Sequence, residues 1–302
     1  MPNPARNRDA INVLSASSFS DLPWLLHGFS TRLGGVSRIC GGGALNLGFT
    51  KDDSKAAVER NRSLFLKGIA ANLDPAQKRT KRLRLATPQN LVTLRQVHSD
   101  VIHCVESMPQ SLPVGDGLIT DTPGLLLAVQ TADCLPIILV DPTRRAVGAF
   151  HAGWRGTAKR IVEKGVGAMR QCFGSRPRDI RAAIGPGIHG CCYTVGEEVR
   201  EKFESQFSYV AKLFREVKES DPVREKYPLL FLTARAPGHG ELPKKIFLDL
   251  VEANRQQLTA AGVLAKNIQA SPLCTSCRTD LLFSYRAEKG KTGRMMAVVG
   301  IR

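Results

Sequence analysis

The sequence predicts one α+β domain around a central mixed sheet, and three observations support this prediction. Five short runs rich in branched residues follow one another between positions 91 and 151, with turn signals such as VGDG between them. Segments with the apolar period of a helix lie before and after these runs. No repeat, low-complexity tract or linker divides the 302 residues, so a second domain is not expected.

The amino-terminal part is expected to contain one strand and one helix. The first ten residues carry prolines and charges but no apolar run, so residues 1–20 are predicted to be disordered and the folded domain to span residues 21–302. The apolar run PWLLHGFSTR predicts a strand over residues 23–32, followed by a glycine-rich loop. Residues 53–70 begin with Asp-Ser, which can cap a helix, and their apolar side chains recur at helical spacing.

The rest of the chain mixes predicted strands and helices. The five branched runs are LVTLRQVH, VIHCVE, LLLAVQ, LPIILVD and AVGAFH. A helix is predicted from the HAGWRGT turn to Cys172, and the strand DIRAAIG after it. Two further helices are predicted near Glu197 to Lys218 and near Lys245 to Ala261, and LLFSYR and RMMAVVGI are predicted to be closing strands.

Charge and hydropathy narrow the possible partners. The chain has no apolar run of signal-peptide or membrane-spanning length, so we expect a cytoplasmic protein with no membrane partner. The net charge of +16 would suit a nucleic-acid partner. Five of the positive charges, however, lie in one segment, Lys78 to Arg84, where no aromatic side chain could stack on bases. We therefore expect a solvated loop there and no specific nucleic-acid partner.

Three residues have the types that a catalytic zinc site uses. His98 follows the run LRQV, Cys134 precedes LPIILV, and His151 ends AVGAFH. If these strands are neighbours in one sheet, the three side chains meet at one edge, and catalytic zinc commonly takes three such ligands and keeps a fourth position open. The turn after His151 starts a helix and contains Gly153 and Arg155, a combination that suits an anion. Asp133, beside the cysteine, is the candidate acid or base.

The remaining cysteines give weaker metal signals. The eight cysteines of the chain occur without an export signal, so we expect reduced thiols. Cys274 and Cys277 have the spacing of a metal knuckle, but no second C-x-x-C pair accompanies them. Cys191 and Cys192 are adjacent in sequence, which is a poor arrangement for two ligands of one ion.

Several long motifs resemble the laccase-domain, or YfiH-like, family in order and approximate spacing. They are HGFSTRLGGVS, ALNLG, QVH, TADCLPIILVD, HAGWRGT, AIGPGIHGCCYTVGEEV and FSYRAEKGKTGRM. The resemblance implies an α/β sandwich, also likened to bacterial toxin cysteine deamidases, with a zinc site at His98, Cys134 and His151. It implies an active-site role for Arg62 and makes Asn46 and Gln96, together with Gly153 and Arg155, candidate substrate-binding residues. Thr194 departs from the glutamate of many relatives.

Members of this family have been called polyphenol oxidoreductases, peptidoglycan editing factors and purine nucleoside phosphorylases. The resemblance implies a zinc-dependent phosphorylase acting on adenosine, inosine, guanosine or methylthioadenosine with phosphate, accompanied by adenosine deaminase activity. The sequence does not fix the oligomeric state, and a monomer is favoured. A cysteine hydrolase or peptidoglycan editing factor is the alternative, with Cys134 as nucleophile and His98 or His151 as base. A copper polyphenol oxidase is less favoured, because a multinuclear centre would need more histidines than the six present.

Overall fold

The computed structural model describes residues 11–71, 87–218 and 244–302, and most of its strands belong to two large β-sheets. The strands of these residues are β1 (Val13–Leu14), β2 (Leu25–Ser30), β3 (Leu33–Ser37), β4 (Leu91–Val92), β5 (Ile102–Cys104), β6 (Gly117–Thr120), β7 (Leu126–Thr131), β8 (Leu135–Asp141), β9 (Ala146–Ala152), β10 (Arg181–Ile184), β11 (Thr194–Val195), β12 (Phe214–Lys218), β13 (Lys244–Leu248), β14 (Ile268–Ala270) and β15 (Met295–Ile301). The α-helices are α1 (Lys55–Ala71), α2 (Trp154–Ala158), α3 (Ile161–Phe173), α4 (Glu197–Glu204) and α5 (Leu250–Ala260).

The two large sheets pack face to face and enclose one layer of the core. The first has the strand order β1-β2-β15-β7-β4 and the second the order β14-β10-β8-β9-β6-β5, and each contains both parallel and antiparallel pairs. Val129 and Val299 of the first sheet pack in one apolar cluster with Ile138 and Val147 of the second. The predicted mixed α/β sandwich is confirmed, but it is built on two main sheets rather than one, with a third small sheet in the order β11-β13-β12.

Helices cover the outer face of each large sheet. Helix α1 packs Phe65 and Ile69 with the apolar side chains that β7 and β15 direct away from the central layer. Helices α3 and α5 cover the opposite face of the second sheet. Strands β8 and β9 therefore have apolar neighbours on both sides, and all seven residues of each are buried. A continuous apolar run such as LPIILV is typical of a strand covered on both faces.

Four predicted elements differ in extent or type from the observed structure, and the glycine-rich loop predicted after residue 32 contains the strand β3. The segment predicted as a helix near Glu197 to Lys218 is helical only in α4, and its end forms β12 because that segment pairs with β13 over five residues. The helix predicted near Lys245 to Ala261 starts at Leu250, since the Asp249 side chain caps it by accepting from the Glu252 amide at 2.9 Å.

The other two differences lie near the chain ends. LLFSYR is no strand: its first residues form a turn, with the Leu281 and Leu282 amides bonded to the Arg278 carbonyl, and Phe283 packs in a small apolar cluster. The sequence predicts disorder over residues 1–20, but residues 11–20 contain β1 and a short 3-10 turn whose Phe19 is buried against the central layer. The first ten residues and the basic segment Lys78 to Arg84 lie outside the described residues. Within the described parts, no helix is long and apolar enough to cross a membrane.

The half-buried ring of His27 predicts a pH-dependent stability of the fold. The amide of Ala16 donates to its Nε2 at 3.0 Å, which requires an unprotonated nitrogen, and burial lowers the pKa of His27 to about 4. The unfolded chain takes up this proton near pH 6.5, so the stabilisation is complete above that pH and is lost as the pH falls from 6.5 towards 4. We expect the protein to lose about 2 kcal/mol between pH 8 and pH 5 from this group alone.

Urea unfolding of the wild type and of His27→Gln at both pH values measures this effect. A glutamine oxygen can accept the same amide bond but does not titrate, so the variant is expected to lose about 2 kcal/mol less than the wild type over this interval. Equal losses in the two proteins would show that the ring is protonated in the folded state without cost.

Candidate metal centre and its cavity

The three predicted metal ligands meet where the chain passes between the two large sheets. His98 lies in the loop between β4 and β5, and His151 lies near the end of β9. Cys134 lies in the three-residue turn that joins β7 of the first sheet to β8 of the second. Strands β8 and β9 are antiparallel neighbours in the second sheet, with Pro136 paired to His151, so Cys134 and His151 lie at one edge of that sheet. His98 reaches them from the loop that follows β4 of the first sheet, so the expectation that all three strands are neighbours in one sheet is wrong for this ligand alone.

The distances among these ligands suit a single metal ion. The Cys134 Sγ lies 3.7 Å from the His98 Nε2, and the rings of His98 and His151 meet edge to face with centroids 4.8 Å apart. One ligand atom from each residue lies within 4.8 Å of the others. A thiolate with two imidazoles matches the ligand preferences of zinc, and copper accepts the same groups. The described residues thus fit the metal that the sequence motifs imply.

Cys134 and His151 shift each other's pKa towards the charged forms, a thiolate and an imidazolium. Burial alone would raise the pKa of Cys134, but the charge and hydrogen bonds of His151 and His98 outweigh it and lower this pKa. Burial alone would lower the pKa of His151, but Cys134 and Asp116 raise it above its ordinary value. The arrangement favours a thiolate, which is the form that binds a metal and also the form that attacks an electrophile.

Asp116 orients both histidines. Its carboxylate is fully buried and accepts the His151 Nδ1 at 2.8 Å, which leaves the Nε2 of that ring for a metal. It also accepts the amides of Val97, His98 and Ser99 at 3.2, 3.0 and 2.5 Å, and these bonds fix a loop in which His98 has a positive φ of 58°. Burial would raise the pKa of Asp116, but the hydrogen bonds from His151 and Ser99 lower it well below its usual range.

Asp133 braces the turn that carries Cys134. Its side-chain oxygens accept the Thr275 hydroxyl and the Arg286 amide, both at 2.6 Å, and its carbonyl accepts the Ile188 amide at 2.7 Å. Its φ of 91° is unusual for a residue with a side chain and is maintained by these bonds. Both carboxylate oxygens are thus engaged, which favours a positioning role over proton transfer.

A cavity of about 630 Å³ opens beside the ligands and is large enough for a nucleoside-sized molecule. His98, Cys134 and His151 line it. Three arginines and three aromatic residues also line it: Arg155, Arg286, Arg294, Trp154, Tyr193 and Tyr285. The cavity therefore combines a metal-binding wall, cationic groups and flat rings.

The predicted substrate-binding residues divide into two groups. Gln96 and Arg155 line the cavity, and Gly153 caps α2 directly against Cys134 and His98. Arg62 and Asn46 are not among the residues that line it.

The contacts of these two residues differ. The Arg62 Nε donates to the Leu47 carbonyl at 3.0 Å, and its guanidinium stacks over Phe49. The side-chain oxygen of Asn46 accepts the Arg294 amide at 2.8 Å. Asn46 therefore acts on the cavity through Arg294.

Several residues of the site are not predicted from the sequence, although they lie within the family motifs. Tyr193 lies in the CCYTVG motif, and Tyr285, Arg286 and Arg294 lie in FSYRAEKGKTGRM, about 130 or more residues after the metal ligands. The VGDG stretch that contains Asp116 indicates only a turn. Spacing could not connect these residues, because only the fold brings them to the cavity.

A family model described as multi-copper polyphenol oxidoreductase laccase matches residues 26–302. Several proteins named purine nucleoside phosphorylase are similar over nearly the whole chain. YlmD of Geobacillus stearothermophilus is 35% identical over 286 residues, covering 91% of this chain and 89% of that protein. The corresponding protein of Deinococcus radiodurans is 36% identical over 280 residues, covering 91% and 88%.

Solved structures have the same fold. The crystal structure of the hypothetical protein YfiH of Bacillus licheniformis matches with a TM-score of 0.76 and 33% identity, covering 98% of each chain. Protein NMB0706 of Neisseria meningitidis matches with a TM-score of 0.72 and 28% identity, covering 96% of this chain and 99% of that one.

Proposed function

The chain belongs to the multi-copper polyphenol oxidoreductase laccase family, and from this premise we propose that it is a zinc-dependent purine nucleoside phosphorylase. The observation that carries the proposal is the cavity in which the three metal ligands, three arginines and three aromatic rings face one space. The names of the similar proteins support the reaction. We propose adenosine, inosine, guanosine and methylthioadenosine as substrates, with phosphate as the second substrate.

Phosphorolysis makes three demands on the cavity. A phosphate oxygen forms a bond to the ribose C1′, the bond from C1′ to the purine nitrogen breaks, and the purine leaves with the electron pair and takes up a proton. The enzyme must hold a dianion, orient the sugar beside it and accommodate a flat base. Zinc, when bound by His98, Cys134 and His151, would supply Lewis-acid polarisation of an oxygen atom.

The arginines of the cavity suit the phosphate. Arg155 is exposed and stacks over Trp154 at 4.4 Å, and its guanidinium makes no hydrogen bond or ion pair with the described residues. Arg286 is anchored, because it donates to the carbonyl and hydroxyl of Thr194. The helix after His151 has only five residues, so its dipole contributes little and the guanidinium groups carry the anion recognition.

The aromatic side chains suit the base. Tyr193 is half-buried, and burial together with the nearby Cys134 raises the pKa of its hydroxyl, so this group stays protonated at neutral pH. It can therefore donate a hydrogen bond to the departing purine. Ring faces from Trp154 and Tyr285 can stack on any purine, which agrees with a broad range of nucleosides.

A panel of nucleosides, incubated with and without phosphate, tests the proposal by product analysis. Ribose 1-phosphate and free base are expected only when phosphate is present. Conversion of adenosine to inosine without phosphate would report the accompanying deaminase activity, for which water replaces phosphate as the second reactant. Release of base at equal rates without phosphate would instead identify a hydrolase.

Removal of the Arg155 side chain is expected to raise the KM for phosphate. A charge-assisted hydrogen bond contributes about 1.5–3 kcal/mol, so Arg155→Ala should raise this KM about tenfold to hundredfold. Deamination of adenosine should change little, because it needs no phosphate. Steady-state kinetics with varied phosphate measures the change.

Arg215→Ala is the matched control for this variant. Arg215 is also exposed and stacked over an aromatic ring, that of Phe247, but it does not line the cavity. An unchanged phosphate KM in Arg155→Ala, or an equal rise in Arg215→Ala, would remove Arg155 from the phosphate site.

A cysteine hydrolase is the second candidate, and one arrangement favours it. Asp116 accepts from His151, and the charge of His151 lowers the pKa of Cys134, which is the order of groups in an acid–histidine–thiol triad. In this case Cys134 would attack a carbonyl carbon and His151 would protonate the leaving amine. Zinc at the same residues would block this chemistry, so metal content separates the two candidates.

A further inference from the structure

Four cysteine side chains meet outside the cavity, at the edge of the second sheet. Strands β10 and β14 are parallel neighbours, so their carboxyl ends leave the sheet side by side. The pairing continues past the strands, because the Thr275 amide donates to the Gly187 carbonyl at 3.0 Å. The loop after β10 carries Cys191 and Cys192, and the loop after β14 carries Cys274 and Cys277.

The sulfur atoms have the separations of a tetrahedral site. The Cys191 Sγ lies 3.7 Å from the Cys192 Sγ and 3.6 Å from the Cys277 Sγ, and Cys192 and Cys277 are 3.3 Å apart. All four sulfurs lie within 4.8 Å of one another. Four thiolates bound to zinc at about 2.3 Å would stand about 3.8 Å apart. The four cysteines are free thiols, and a disulfide would need about 2.05 Å.

The local backbone explains how adjacent cysteines can share one ion. The amides of Cys192 and Tyr193 both donate to the His189 carbonyl at 2.9 Å, so the chain turns sharply at this point. The turn directs Cys191 and Cys192 towards the same side, which the sequence order alone did not suggest. The buried Cys274 accepts the His189 amide at 3.5 Å, and amide donors of this kind favour the thiolate.

We propose that Cys191, Cys192, Cys274 and Cys277 bind a second, structural zinc ion. Four sulfur ligands select a soft metal and leave no open position for water or substrate, so this site is closed where the first is open. Zinc binding converts the thiols to thiolates, and the released protons pass to solvent. The inference does not depend on the reaction proposed for the cavity.

The second zinc would link the loop after β10 to the loop after β14, and residues of both loops lie beside the cavity. Tyr193, which lines the cavity, directly follows Cys192. Thr275 directly follows Cys274, and its hydroxyl donates to Asp133 beside Cys134. The ion would thus hold the wall of the cavity in place without touching substrate.

Metal analysis of the full chain, purified with zinc under reducing conditions, tests the inference. The wild type is expected to hold about two zinc ions and Cys191→Ser/Cys277→Ser about one, as a tetrahedral site that loses two ligands no longer holds its ion. Cys104→Ser/Cys172→Ser, which changes two exposed thiols outside both clusters, should keep about two ions. An unchanged zinc content in Cys191→Ser/Cys277→Ser would overturn the proposal.

A cobalt-substituted protein gives a test that leaves the second cluster intact. Cys134→Ala removes a ligand of the first site, so its remaining Co²⁺ should show the intense visible bands of a tetrahedral tetrathiolate. The proposed zinc site would be contradicted if this variant lost all its metal or if its spectrum showed no sulfur charge transfer. An iron–sulfur absorption in the protein as purified, or a Cys192–Cys277 disulfide found by mass spectrometry, would also contradict it.

Discussion

Cys134→Ala is expected to lower phosphorolysis on the order of a thousandfold and to remove the metal of the first site. The thiolate is one of three ligands and has the only sulfur among them, so alanine leaves two imidazoles that hold zinc weakly. Loss of Lewis-acid stabilisation of several kcal/mol corresponds to a rate loss of this order. The measurements are zinc content and initial rates of base release with saturating nucleoside and phosphate.

Cys104→Ala is the control, since this thiol is exposed and belongs to neither cluster of candidate ligands. It is expected to keep both metal and activity. Full activity in a Cys134→Ala protein that has lost its metal would show that the first site is not needed for turnover, and the zinc-dependent mechanism would then be wrong.

Alkylation separates a ligand from a nucleophile at the same residue. A thiolate bound to zinc should react slowly with iodoacetamide, and removal of the metal by a chelator should expose Cys134 to rapid reaction. A catalytic nucleophile would react rapidly before chelation, and the chelated enzyme would remain active. Peptide mass spectrometry identifies the modified residue in each state.

The core strands of this fold could be predicted because the apolar side chains that identify them lie within the strands themselves. The runs LPIILVD and AVGAFH are apolar up to their last residues, Asp141 and His151, and such runs are typical of strands that are buried on both faces. Strand β12, by contrast, is charged and exposed over most of its length, and it is a strand because β13 pairs with it. The residues of β12 alone therefore do not predict a strand, because its strand conformation depends on pairing with β13.

The same distinction applies to the site. His98, Cys134 and His151 belong to residue types that bind metals, and each stands at the end of an apolar run, so they could be proposed before any geometry was known. Asp116 has neither of these sequence features. Its importance comes from five hydrogen bonds that its carboxylate accepts in the folded protein, four from residues 97–99 and one from His151. Cys191 and Cys277 are separated by 86 positions, and the parallel exit of β10 and β14 brings them together.

Gly153→Ala is expected to weaken metal binding at the first site about tenfold to hundredfold, the range typical of substitutions that disturb the surroundings of a metal. A Cβ at this position would lie 2.8 Å from the Cys134 Sγ and 2.9 Å from the His98 Cδ2. The φ of Gly153 is −78°, which any residue adopts, so the substitution acts by crowding two ligands and leaves the backbone unstrained. His98 cannot move away freely, because Asp116 holds its loop through three amides.

Gly167→Ala is the matched control, since Gly167 is exposed in α3 and, apart from the neighbouring backbone of its own helix, no described atom lies within 4 Å of the position its Cβ would take. It is expected to bind metal as the wild type does and to gain about 0.4–1 kcal/mol of stability, because alanine restricts the unfolded chain. Competition with a chromophoric chelator measures the affinity, and circular dichroism on heating shows whether each variant is folded. Wild-type affinity in a folded Gly153→Ala protein would mean that the ligands tolerate displacement, and the close contact with Gly153 would then have no part in holding the metal.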